Sequence, residues 1–395
     1  MMKADGRRCI ALMFAGVLVV SPAVTLAQDD KPFAIETPAT TALVLDVETG
    51  TVLFEKSASE RFEPASLAKI MTVETVLSAL DKGEVTAQTA FPVSDHAWRS
   101  GGAPSRTATM FAAVRSTVPV DALLRGVMVQ GANDAAIILG EGIAGTESAF
   151  AVRMNERASE IGLADSHFVN ATGLPAEGQF TTARDVAQLS LRMRQDYPAW
   201  YGIYAQPEFE WNKILQRNRN PLLRGTSNAT GLATGFAEGQ GYSIAALAED
   251  GPRGTIAVLS GLTSDAVRTK ETERLLAWAR DSFERRILFT QILPVGTANV
   301  FGGFETSVPL LVKSDVVAFV PKGRPDLVRA EIRYDGPLHA PVEQNARVGT
   351  LHITIDGKPA LDTELFAGKT IHQGTFSMRA MDAAQEIAFG WIRKL

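Results

Sequence analysis

Apolar positions along the chain follow two rhythms, and the change from one to the other divides it. Residues 41–57, Thr-Ala-Leu-Val-Leu-Asp-Val-Glu-Thr-Gly-Thr-Val-Leu-Phe-Glu-Lys-Ser, form two β-rich runs around a Glu-Thr-Gly turn, which predicts a hairpin. From Ser66 to about Leu80, apolar Leu67, Ile70, Met71, Val76, Leu77 and Leu80 recur at helical spacing. That pattern predicts a buried, central helix with Ser66 at its N-terminus. Helical spacing also covers residues 120–129, 133–144, 147–161 and 182–195, and a break near Gly131 separates the first two segments. Residues 241–249 and 254–262 return to β-rich runs about a Glu-Asp-Gly-Pro turn, and a helix is expected over 266–287. Strands, a helical block, more strands and a last helix predict an α+β plan: an antiparallel sheet covered by helices, with an inserted helical lobe.

After about Pro294 the rhythm shortens. Residues 308–312, 316–320, 327–334 and 348–355 alternate between Gly, Pro and Asp turns, which predicts a small all-β domain over 294–372. In the tail, 373–395, Met381, Ala384, Ala388, Trp391 and Leu395 are spaced by three and four, the pattern of an amphipathic helix lying on a membrane surface. At the other end, Lys3, Arg7 and Arg8 precede an apolar run from Ile10 to Val20 and the small-residue close Thr25-Leu26-Ala27. This is the pattern of a secretory signal cleaved after Ala27, which leaves 28–293 as the main domain. The expectation is an exported, periplasmic protein attached to the outer face of the inner membrane.

Composition narrows the chemistry. The net charge of −5 comes with no concentrated basic face, which argues against a nucleic-acid partner. The one cysteine, Cys9, lies in the leader, so disulfides and thiol catalysis are not expected. Five histidines show no ligand spacing, and no metal or other cofactor is expected. No Gly-x-Ser-x-Gly elbow announces a serine-histidine-aspartate triad. What stands out is Ser66 with Lys69 three residues on. At a helix start these share a face, and a desolvated lysine can lose its proton and activate a serine.

The stretches Pro64-Ala-Ser66-Leu-Ala-Lys69-Ile-Met-Thr, Leu123-Leu-Arg-Gly-Val-Met-Val-Gln130-Gly-Ala-Asn133-Asp-Ala, Asn218-Arg219-Asn-Pro-Leu-Leu and Tyr334-Asp-Gly-Pro-Leu-His-Ala-Pro341 resemble the penicillin-binding D-alanyl-D-alanine carboxypeptidases of low molecular mass. That family carries Ser-x-x-Lys, Ser-x-Asn and Lys-Thr-Gly motifs. Here the first is intact, the second reads Gly131-Ala132-Asn133, and the third reads Ala233-Thr234-Gly235. The resemblance implies that Ser66 attacks the bond between two D-alanines of a peptidoglycan stem peptide, with Lys69 as base. It also implies an oxyanion site at the backbone N–H groups of Ser66 and Phe236, and a role for Asn133 in orienting Lys69 and the substrate amide. Thr234, with Arg219, would meet the terminal carboxylate, and β-lactams would be alternative ligands. Gly131 lacks a hydroxyl that would pass a proton to the leaving amine. Ala233 lacks a cation that would attract the carboxylate and repel a proton from Lys69, and no other residue is expected to restore it. Three outcomes follow: a working carboxypeptidase, a weakened relative that binds peptidoglycan or a cell-wall partner, or a β-lactamase.

Overall fold

The computed structural model describes residues 10–11, 35–225, 228–251 and 253–389. The chain divides into two compact units. One comprises Ile35–Glu48 and Val52–Asp281, and the other is formed mainly by Ser282–Leu395.

The first unit is built on a five-stranded antiparallel sheet. Across it run Ala229–Ala237, Gly241–Asp250, Arg253–Leu262, Thr41–Asp46 and Val52–Lys56 in that order. Both faces are covered, as the alternation of side chains requires. Leu43, Leu45, Ala245, Leu247, Ile256 and Val258 join the core shared with the helical lobe. Ala42, Val44, Ile244, Ala246, Ala257 and Leu259, one residue out of phase, are buried on the other face. There the helix Asp265–Ser282 lies, with Trp278 edge-on to Phe54 at 6.2 Å. This is the expected α+β plan, with the expected hairpin at its far edge.

The central helix, Ala68–Asp81, is buried without interruption from Ala68 to Ala79. A helix buried on all sides needs no amphipathic stripe; it forms the middle of the core. The break near Gly131 is present. Helix Val120–Arg125 passes into a π-helical turn, Gly126–Gln130, then Gly131 in the left-handed region (φ 67°), and a new helix Asn133–Ala144 begins.

One expected element differs. The last helix of the first unit stops at Ser282, and Phe283–Phe289 is a strand paired with Val316–Pro321. Phe283 and its neighbours satisfy helical spacing locally, but pairing with the buried strand at 316–321 buries Phe283 and uses the backbone groups that a helix would otherwise occupy. The β unit accordingly begins at Ser282 rather than at residue 294.

Within that unit a seven-stranded sheet surrounds a core that includes Val308, Leu310, Ile332, Leu351, Ile353 and Leu365. Ile10–Ala11 pairs at its edge with Val328–Arg333; the rest of the expected leader lies outside the described residues. A helix, Phe376–Phe389, follows the sheet. Asp382 accepts the Gly302 N–H at 2.8 Å, while Phe376 and Met381 are exposed. Trp391 and Leu395, on which the amphipathic reading partly rests, fall outside the described residues.

Candidate active site

Ser66 and Lys69 meet as their spacing predicts, though through a less regular backbone than a plain helix start. Ser66 lies in a 3₁₀ turn, Ala65–Leu67, that feeds the central helix, and Ala65 holds φ 47°. A left-handed alanine costs of order 1 kcal/mol and persists only where its surroundings hold it. Two glycines let those surroundings close in. A Cβ on Gly173 would stand 1.7 Å from the Ala65 carbonyl oxygen. On Gly235, in the edge strand, it would stand 3.3 Å from Ala65 Cβ and 2.5 Å from Ser243 Oγ. The nucleophile turn is gripped between a loop and a strand that only glycine allows so near.

Lys69 Nζ lies 3.0 Å from Ser66 Oγ and 2.6 Å from the Thr172 carbonyl, to which it donates. The residue is 3% exposed, and among the described residues no carboxylate pairs with it. Burial, and next the positive charge of Arg219, push its pKa from the usual 10.5 down to about 7. A lysine that is half neutral near pH 7 and lies within hydrogen-bond reach of a serine hydroxyl has the geometry and the proton affinity of a general base.

The pair opens onto a cavity of about 800 Å³ whose far wall is the edge strand and the Asn218–Asn220 turn. Ala233, Thr234, Gly235 and Phe236 all line it. Phe236 is exposed, with its ring 4.7 Å from that of Tyr242. The turn is held from below: Asn218 Nδ2 donates to the carbonyls of Tyr204 and Gln206, its Oδ1 accepts the Asn220 N–H, and the Arg219 N–H bonds Val129 O at 3.1 Å.

Asn133 Oδ1, Tyr204 Oη, Gln216 Oε1, Asn220 Nδ2 and Arg268 Nε are buried with no hydrogen-bond partner among the described residues, and all five residues line the cavity. Buried polar atoms are nearly always paired, and most of the exceptions among the described residues belong to residues of this lining. The cavity is also electropositive: Lys69, Arg217, Arg219, Arg224 and Arg268 line it against one carboxylate, Asp265, which accepts from Arg268.

Every residue singled out from the sequence therefore reaches one cavity, but two are placed differently from the roles inferred for them. Asn133 Nδ2 donates to Thr107 Oγ1 at 2.9 Å, and its side chain makes no hydrogen bond to Lys69. The group that orients Lys69 is the Thr172 carbonyl, and a backbone oxygen carries no sequence signature. Arg219 lines the same cavity as Lys69 and its positive charge lowers the amine's pKa, so the charge missing at position 233 has a counterpart elsewhere in the cavity. Arg268 was not anticipated. It is 4% exposed and lies 5.7 Å from the Tyr242 ring on the wall shared with Thr234. An arginine in the first turn of a predicted helix was its only trace in the sequence.

The comparisons agree with this geometry. Residues 25–263 match the family described as D-alanyl-D-alanine carboxypeptidase, and residues 283–373 match that described as penicillin-binding protein 5, C-terminal domain. The D-alanyl-D-alanine carboxypeptidase DacC of Escherichia coli (strain K12) is 34% identical over 354 residues, spanning 88% of each chain. Penicillin-binding protein 5 of Haemophilus influenzae superposes with a TM-score of 0.73 at 30% identity, over 86% of this chain and 99% of that one. Penicillin-binding protein D2 of Listeria monocytogenes, solved in its ampicillin-bound form, matches 62% of this chain and 98% of its own with a TM-score of 0.53 at 28% identity.

Proposed function

The chain belongs to the D-alanyl-D-alanine carboxypeptidase family, serine-type hydrolases of the cell wall, and from that premise we propose that it releases the terminal D-alanine of a peptidoglycan pentapeptide through an acyl-enzyme on Ser66. The observation that carries this reading is the buried Lys69 amine 3.0 Å from Ser66 Oγ, with a pKa near 7. Neutral Lys69 takes the Ser66 proton as Oγ attacks the carbonyl between the two D-alanines. The backbone N–H groups of Ser66 and Phe236 receive the oxyanion, a contribution that depends on no side chain. The peptide C–N bond breaks, the Lys69 ammonium returns its proton to the departing amine, and free D-alanine leaves. Water then attacks the ester and gives its proton to Lys69; the ester C–O bond breaks, Lys69 returns that proton to Ser66 Oγ, and the shortened peptide is freed.

The substrate carboxylate is received by Thr234 and the guanidinium of Arg268, whose buried, unpartnered Nε lies on that wall. Asn133, on the cavity lining, accepts the substrate amide through its side-chain carbonyl. A β-lactam, whose strained amide presents a comparable carbonyl, acylates Ser66 in the same cavity, a reading supported by the ampicillin-bound relative. The protein works outside the cytoplasm, on the signal pattern of residues 1–27, and meets the membrane through its tail helix, with Phe376 and Met381 exposed on it.

The deciding experiment measures D-alanine release from a pentapeptide by the purified protein and by Ser66→Ala. Release that vanishes in the variant is the expected result. No release from the wild type, with muropeptide binding retained, would replace the reading with that of a binding module.

A further inference from the structure

The two motif positions that lack their family side chains both line the cavity, and Arg219 lines it beside one of them. A Cβ on Gly131 would meet a single neighbour, Arg219 Cδ at 3.9 Å, so the arginine stem covers the side of the turn where a residue-131 side chain would project. Gly131 itself sits at φ 67°, where glycine is favoured. The Arg219 backbone is fixed by its bond to Val129 and by the buried Asn218 and Asn220 on either side. Its guanidinium makes no hydrogen bond or ion pair among the described residues. Ala233, on the same cavity lining, offers no charge.

We propose that Arg219 is the electrostatic positioning residue of this site: reaching over Gly131, it supplies from the Asn218–Asn220 turn the positive charge facing Lys69 that position 233 does not. The inference rests on the proposed role of Lys69 as base. Other charges near the amine are accounted for. Arg217, Arg224 and Arg268 line the same cavity, but Arg219 is the cation whose field acts on Lys69. Asp265, the cavity's carboxylate, accepts from Arg268. On the neighbouring helix, Asp134 is saturated by Thr109 Oγ1 and the N–H groups of Met110 and Ala112. Further along the central helix, Glu74 is held by Arg157 and Arg192. Among the described residues no carboxylate pairs with Arg219 or Lys69.

The test reads Lys69 directly, by NMR titration of protein labelled with ¹³C at the lysine ε carbon, beside the pH profile of D-alanine release. In Arg219→Gln the Lys69 midpoint and the acid limb of the profile should both rise by about one pH unit, the scale of one nearby charge. Arg219→Lys should restore both. Adding Ala233→Lys to Arg219→Gln should bring the midpoint back down, a rescue that a merely structural role for Arg219 does not predict. A Lys69 midpoint that ignores Arg219→Gln in a protein of unchanged melting profile overturns the inference. Should Arg219→Gln not fold, Ala233→Lys in the wild type decides: a lowered midpoint supports a shared field, and an unmoved one overturns it. Because the titration needs no turnover, a moving midpoint without D-alanine release would refute the proposed activity and leave this inference standing.

Discussion

The central helix carries two buried charges, and the protein treats them in opposite ways. Glu74, with no exposure, receives Arg157 through Nε at 3.0 and 3.1 Å and Nη2 at 2.9 Å, and Arg192 Nε at 3.1 Å. Lys69, little more than one turn earlier and almost as deep, finds only neutral oxygens on Ser66 and Thr172, and a like charge beyond them. A buried carboxylate held by two guanidinium partners ties three helices together. A buried amine without a counter-ion instead sheds its proton. The difference separates a charge kept for architecture from one kept for chemistry.

The largest effect should come from erasing the second kind. Lys69→Met removes the base and should lower acylation of Ser66 by about 10³-fold, within the usual range for general-base loss, measured with a chromogenic acyl donor. Its stability should move the other way. The folded pKa of Lys69 is depressed, so between about pH 7 and 10.5 the unfolded chain binds the extra proton and stability rises with pH. Below about 7 the full penalty for the buried amine is present. Lys69→Met, free of it, should melt at a higher temperature than wild type at neutral pH, and the gap should close as pH passes the usual lysine range. An equal or lower melting temperature at pH 7 would break the contrast.

Glu74→Ala tests the other half. Removing one partner of a buried pair strands the rest, and about 3 kcal/mol of stability should be lost by denaturant titration. Activity per folded molecule should persist, since Glu74 faces Arg157 and Arg192 rather than the cavity.

The pH profile sharpens the same distinction on a smaller scale. With Lys69 titrating at about 7, the rate of Ser66 acylation should fall about tenfold per pH unit below that point and level off above it. A profile flat from pH 5 to 8 would show that another group takes the proton.

How much of this was legible in the sequence depends on whether the relevant spacing was local. Ser66 and Lys69 are three apart on one helix, and that spacing alone brings the pair together. The break at Gly131 and the hairpin at residues 41–57 were equally visible, because turns and periods are written in adjacent residues. The Thr172 carbonyl and the approach of Gly173 to Ala65 were not, since they depend on where a loop a hundred residues away comes to rest. The pairing of Glu74 was not legible either: its partners Arg157 and Arg192 lie on two other helices, and no periodicity joins them. The strand at Phe283–Phe289 failed for the same reason, because its partner at 316–321 decides its conformation.

The smallest predicted effect asks how redundant the architectural charge is. Arg192 is 32% exposed on its side chain and meets Glu74 through one short contact, whereas Arg157 is 17% exposed and holds both carboxylate oxygens. Arg192 also pairs with the exposed Asp196 at 2.9 Å, an i,i+4 contact worth little in water. Arg192→Gln should therefore cost no more than about 1 kcal/mol, because the bidentate Arg157 pair still neutralises Glu74 and the lost guanidinium was partly hydrated. Arg157→Gln, by contrast, takes away the bidentate partner and should cost at least twice as much in the same denaturant titration. If the two variants were equally destabilised, Glu74 would depend on the summed charge of both arginines rather than on the geometry of one. The central helix would then be anchored by a field, as Lys69 is tuned by one, and the distinction between its two buried charges would lie only in sign.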